Sequence, residues 1–192
     1  MRAANENELK IEFREAISPE EMTQVRELFL EYAQSLNFDL CFQSFDEELA
    51  ALPGDYAPPE GKLLVAYVND NLAGCAALRK CICKSESNNG PFVENRSPIN
   101  SNDHSDEVKE ERIGEMKRLF VRGNYRNLKL GKKLAQGIID AAKQLGYERI
   151  RLDTVPNMKA AIALYKSLGF KIIDPYTHNP VCGAIFLELE LG

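Results

Sequence analysis

Between Val121 and Lys133 the chain places Arg126, Lys129, Lys132 and Lys133 in a short stretch that also holds Gly123, Asn124, Asn127 and Gly131. The stretch falls between an expected strand and an expected helix start. A loop there turns successive backbone N–H groups, and the positive end of the helix dipole, toward solvent, which is what an anionic phosphate requires. The local excess of positive charge is informative because the chain as a whole is acidic, with 29 Asp and Glu against 24 Lys and Arg and a formal net charge of -5. A solvated basic helix start is the plain alternative. The stretch lacks the Gly-Lys-Ser/Thr ending of a P-loop and the Gly-x-Gly-x-x-Gly of a dinucleotide loop, so nucleotide hydrolysis and hydride transfer both lose ground.

The elements that must position this loop can be read from periodicity. Leu9, Ile11 and Phe13 alternate as in a strand, and Ser18, Pro19, Glu20 and Glu21 then supply an N-cap, a first-turn proline and acids for a helix to about Leu36, with Met22, Val25, Leu28, Phe29 and Tyr32 on one face. A short helix from Ser44 to Leu52 stops at Pro53 and Gly54. Residues 63–68 and 72–78 flank the turn formers Asn69, Asp70 and Asn71 and read as a hairpin. Beyond a polar stretch from Lys84 to Glu111, expected to be a flexible insertion, come a strand from Glu115 to Val121, a helix from Leu130 to Leu145, a strand from Glu148 to Val155 and a helix from Asn157 to Leu168. Consecutive strand–helix units imply parallel strands joined by a crossover helix. Asn157 reads as an N-cap, and short strands at residues 170–173 and 184–191 finish the chain.

The 192 residues, 44% of them hydrophobic, suffice for one core and make two domains cramped, so a single domain over 1–192 is expected. Acidity argues against a nucleic-acid partner and leaves a cationic or amine substrate unrepelled. The polar start of the chain and the absence of a long apolar run predict a cytoplasmic protein with no membrane partner. Five cysteines, an odd number without a secretory start, read as reduced thiols. Cys81 and Cys83 with only two histidines make a poor metal site, so no metal is expected. His178 could titrate in its loop but is more simply a surface residue, as is His104.

Arg126, Asn127, Leu128, Lys129, Leu130 and Gly131 resemble the pyrophosphate signature Gln/Arg-x-x-Gly-x-Gly/Ala of the GNAT superfamily of N-acetyltransferases, departing from it at Lys129, which stands where the first glycine belongs. The phrase from Ala161 to Phe170, through Leu164, Tyr165, Leu168 and Gly169, resembles that family's second helix and following strand, in the right order and spacing. The span from Glu115 to Val121, with Asn179, Pro180 and Val181, is similar to small bacterial-type members. The resemblance implies an α/β fold with a mixed, mostly antiparallel sheet of about seven strands flanked by helices and splayed parallel strands at its centre. It implies transfer of acetyl from acetyl-CoA, as co-substrate, to the primary amine of a small molecule or peptide. Leu119, Phe120 and Val121 would then meet the pantetheine through backbone groups, with residues 126–132 and Asn157 completing the cofactor site. Tyr165 matches the family's usual acid, against a plain packing role in the helix stripe. Glu115 matches a glutamate that some members use as base, with a solvent-facing residue or an ammonium anchor as its alternatives. A non-catalytic acyl-CoA-binding module of the same fold, and a partner-binding role for the insertion, are the rival readings. Monomer and homodimer stay open.

Overall fold

A computed structural model describes residues 9–36, 40, 44–81 and 111–192. But for Glu111, the expected insertion from Lys84 to Glu111, with His104, lies outside the described residues, as do Cys41 and Cys83. The strands are β1 (Ile11–Glu15), β2 (Lys62–Val68), β3 (Asn71–Lys80), β4 (Ile113–Val121), β5 (Arg149–Thr154), β6 (Lys171–Ile173) and β7 (Ile185–Glu190). The helices are α1 (Pro19–Ser35), α2 (Phe45–Ala51), α3 (Leu130–Gln144) and α4 (Lys159–Ser167). All strands join one sheet in the order β1-β2-β3-β4-β5-β7-β6. Only β4 and β5 run parallel; the other neighbours are antiparallel.

Alternation along β2 and β3 builds both faces. Leu63, Val65, Cys75 and Ala77 join Val25, Leu28 and Phe29 of α1 and Phe45 of α2 in one core. Ala66, Ala76 and Leu78 join Leu134, Ile138 and Ala142 of α3 and Tyr165 of α4 in the other. The sheet is therefore covered on both sides, as its nearly continuous apolar strands require.

Helix α1 starts as its sequence demands. The Ser18 side chain accepts from the Glu21 N–H, and the Glu21 carboxylate accepts in return from the Ser18 N–H. Helix α4 differs from expectation at its start. Met158, not Asn157, is the N-cap, and it makes no side-chain cap, because residues 156–157 form a turn that holds Asn157 outside the helix. The central strand begins at Ile113, two residues before its apolar pattern shows. Gly114 at that point lets the Tyr147 ring and Leu78 close in, since a Cβ there would lie 3.1 Å from the Leu78 Cδ1.

Two irregularities in β4 shape the centre of the sheet. Its parallel pairing with β5 is limited to Ile113↔Arg149, Gly114↔Ile150 and Glu115↔Arg151, after which the two strands part. Opposite β3, the register shifts between Cys75 and Ala77, so that Arg118 and Leu119 together face Ala76. Arg118 is the extra residue, with φ of 55°, and such a bulge re-aims one side chain without changing the faces of the rest.

Candidate functional site

The loop between β4 and α3 has the geometry an anion requires. Asn127 and Lys129 both adopt left-handed backbone conformations, with φ of 76° and 58°. Lys129 is the N-cap of α3 and supplies no side-chain cap. The conformation is one that glycine adopts freely and other residues less readily, which explains why the related signature carries glycine at that position. Among the described residues, no protein acceptor takes the backbone N–H groups of residues 127–132. Arg126, Lys129 and Lys132 likewise have no ion pair among the described residues. Unpaired N–H groups at a helix start, ringed by unpaired cations, form a ready anion cradle.

These groups line a groove of about 650 Å³ that runs from Leu119, Phe120 and Val121 past Tyr125, Arg126, Asn127, Lys129, Leu130, Gly131 and Lys132 to Asn157 and Leu164. The structure thus brings together the expected cofactor residues except Leu128, whose side chain packs into the core beside Leu130, and Tyr165, which lines the adjoining cavity instead. Lys133 also turns away, its ammonium 5.7 Å from the centre of the Phe13 ring. Arg122 is structural, donating to both oxygens of Glu31 on α1 and to the Leu72 carbonyl. A Cβ on Gly131 would meet nothing nearer than 3.8 Å, so the glycine is not required by the protein's own packing and leaves open room on the groove side. Coenzyme A, with its anionic pyrophosphate and extended thiol arm, fits these residues: donors for the phosphates at one end, and at the other the β4 backbone where its pairing with β5 has ceased.

A second, smaller cavity adjoins the groove, and the two share Tyr32, Leu119, Met158 and Ala161 as walls. Its other walls include Lys117, Arg118, Asp153, Tyr165 and Asn179. Tyr165 is buried and its ring stacks at a tilt on Phe170. Its hydroxyl has no hydrogen-bond partner among the described residues. Burial, followed by the neighbouring Tyr32 and Asp153, pushes its pKa well above the ordinary tyrosine value, so the phenol stays protonated.

Glu115 occupies a different place. It is 3% exposed and lies behind this cavity rather than on its wall. Its Oε2 accepts from Arg79 at 2.8 Å and its Oε1 from the Tyr176 hydroxyl at 3.0 Å. Burial and then Glu115 itself drive the Tyr176 phenol far up, which keeps that donor protonated. The carboxylate on the wall is Asp153 of β5, with Lys117 Nζ 3.4 Å from Oδ1 and Asn179 Nδ2 donating to Oδ2 at 2.7 Å. Arg118, swung by the bulge toward α2, donates from Nε to Glu48 at 2.9 Å and from its terminal nitrogen to the other Glu48 oxygen. The Tyr56 hydroxyl donates to the same carboxylate at 2.7 Å. Sequence reasoning passed over Asp153, Lys117, Arg118, Asn179 and Glu48 as site residues. An acid on an otherwise alternating strand, and a cation inside an apolar one, were the available signals.

The profile of the acetyltransferase (GNAT) family matches residues 22–170. An N-acetyltransferase of Schizosaccharomyces pombe is 36% identical, over 91% of this chain and 91% of its own length. One of Dictyostelium discoideum is 34% identical, over 90% of this chain and 95% of its own. Neither relative is characterised. The structure of the PaiA N-acetyltransferase from Thermoplasma acidophilum in complex with coenzyme A superposes with a TM-score of 0.60 at 17% identity, over 94% of this chain and 99% of that one.

Proposed function

The chain belongs to the acetyltransferase (GNAT) family, whose activity is acetyl-CoA-dependent acyl transfer, and from that premise we propose that it moves acetyl to a primary amine of a small molecule or peptide by direct attack in a ternary complex. The observation that carries the reading is the row of N–H groups at residues 127–132, unpaired among the described residues, which opens onto a groove meeting the Tyr165 cavity. Lys129, which departs from the family signature, is accommodated by its left-handed backbone.

Residues 126–132 hold the phosphates, the β4 backbone at Leu119, Phe120 and Val121 orients the arm, and Asn157 borders the groove. Bound acetyl-CoA supplies a thioester whose carbonyl carbon forms the new C–N bond as its C–S bond breaks. Asp153 is the carboxylate placed to take the first proton from the acceptor ammonium, leaving a neutral amine with a free lone pair. Glu115 acts behind it, its charge and its Arg79 and Tyr176 partners fixing the surroundings of Lys117. Tyr165, protonated and without a partner among the described residues, donates to the departing sulfur. The second N–H proton lost as the amide forms restores that donor, so each turnover releases one proton overall.

Calorimetric titration with acetyl-CoA should give saturable binding for the native protein. It should show at least a ~100-fold weaker affinity for Arg126→Glu, since that change replaces an attraction to a diphosphate by a repulsion of similar size. Unchanged affinity in the variant would remove the phosphate assignment, and no binding by the native protein would remove acetyl-CoA as donor. A second variant separates space from charge. Gly131→Leu should unfold within a few degrees of the native protein, because its side chain enters the open groove, yet bind acetyl-CoA about 10-fold or more weakly. Wild-type affinity in that variant would place the ligand elsewhere.

A further inference from the structure

The small cavity carries a signature that bears on the acceptor. Lys117 is 8% exposed and sits on the cavity wall. An ammonium has three donors to satisfy, but among the described residues this one has a single hydrogen bond, the 3.4 Å contact to Asp153. Glu115 stands 3.8 Å away, outside hydrogen-bond reach. A buried ammonium so poorly served is costly unless a ligand completes its shell. Arg118, the other cation on the wall, is engaged by both Glu48 oxygens, so Lys117 is the cation with capacity to spare.

Its neighbour is held in the opposite sense. Asn179 fixes one Asp153 oxygen, and the Val181 N–H donates to the Asn179 side-chain oxygen at 3.0 Å, locking that amide in place. The other Asp153 oxygen faces Lys117. The wall thus presents a cation and an anion side by side, 3.4 Å apart. Charge at this spot is balanced, with Arg79 and Lys117 against Glu115 and Asp153. A lone ammonium or a lone carboxylate entering it would bring an unmatched charge into a buried place, whereas a molecule carrying both, close together, would not.

We propose that the acceptor is a free α-amino acid in its zwitterionic form, with its carboxylate bound by Lys117 and its ammonium by Asp153. The proposal rests on the acetyl-transfer reading and narrows it. Each half of the zwitterion meets its opposite on the wall, and the Lys117–Asp153 contact opens to admit it. Transfer of the ammonium proton to Asp153 then leaves the substrate carboxylate paired with Lys117, so the site keeps its charge balance as the amine becomes nucleophilic.

The test compares native enzyme on L-α-amino acids, on the corresponding α-amides, which keep the amine and lose the negative charge, and on the amines that lack the carboxyl group. At least one amino acid should be acetylated with kcat/KM about 100-fold or more above that of its amide, a discrimination expected when a buried charged group is left unpaired. In Lys117→Met the ratio of acid to amide should collapse toward one. Amides, decarboxylated amines or peptide N-termini acetylated as well as the acids by the native enzyme would overturn this inference alone. Saturable acetyl-CoA binding with no amine of any kind turned over would overturn the transfer reading and this inference with it.

Discussion

Tyr165→Phe should lower kcat by about 100-fold or more while leaving acetyl-CoA affinity within about twofold, the pattern of a group that acts on the transition state and not on binding. The phenol lines the cavity that adjoins the groove, and its hydroxyl makes no hydrogen bond among the described residues that the change would break. Phenylalanine keeps the contact with Phe170 and removes a buried donor without a partner. Thermal stability should therefore hold or rise slightly, which separates lost chemistry from lost fold. The direction of the pKa shift adds a second readout. Because burial, Tyr32 and Asp153 raise it, the native enzyme should show no loss of kcat from tyrosine ionisation near pH 10, where an exposed phenol would titrate. A kcat unchanged by the substitution would leave Tyr165 a packing residue.

The largest effect on stability should come from Glu48→Ala. The Arg118 side chain is 2% exposed and relies on that carboxylate for its hydrogen bonds, and the Tyr56 hydroxyl relies on it as well. Truncation leaves a buried cation and a buried phenol unpaired, at a cost of about 3–5 kcal/mol, or a fall in Tm of roughly 10 °C for a chain of this length. Replacing both partners, as in Glu48→Leu with Arg118→Met, should recover much of the loss, because the charge is then removed together with its partner. The pair also sets an acid limit. Burial alone would raise the Glu48 pKa, but the hydrogen bond and charge of Arg118, with the Tyr56 hydrogen bond, outweigh it and hold the carboxyl below its usual value. A depressed folded-state pKa contributes stability that is complete above the ordinary glutamate value of about 4.3 and is lost as pH falls through the lower folded one. Urea unfolding followed from pH 6 downward should accordingly show a shallower loss of stability in Glu48→Gln than in the native protein. Parallel curves would mean that the carboxylate titrates alike folded and unfolded.

The loop proposed to hold the cofactor is one that the sequence singles out, and the cavity proposed for the acceptor is one that it does not, for a physical reason. The proposed phosphate loop is local: Arg126, Asn127, Lys129 and Gly131 are set by backbone conformation and a helix start, which near neighbours determine. Most helices and strands were equally readable, since periodicity and the Ser18–Glu21 cap are short-range signals. The cavity proposed for the acceptor depends on residues brought from far along the chain. Lys117 and Asp153 are 36 positions apart and Arg118 and Glu48 are 70 apart. Nothing in the composition of β4 marks a bulge there, with neither glycine nor proline at Arg118. Glu115 stood out by its position at the strand start, yet its place behind the cavity depends on Arg79 and on Tyr176 from the loop before β7. Asn157 looked like a cap because its residue type caps helices, and the turn at residues 156–157 moved the helix start beyond it.

The extra residue in β4 confines its irregularity to one strand. On its two sides Lys117 still pairs with Ala77 and Phe120 with Cys75, each on the same face as its partner, so the ladder stays in phase across the interruption. The scaffold is in this sense modular at the scale of one buried ion pair. Arg118 and its partner Glu48 can be exchanged together, and the proposed acceptor chamber re-cut, while the strands on either side keep their pairing and the hydrophobic layers keep their composition. Such an exchange would alter the proposed acceptor side and leave the loop at residues 126–132, beyond the end of β4, with its backbone conformation unchanged.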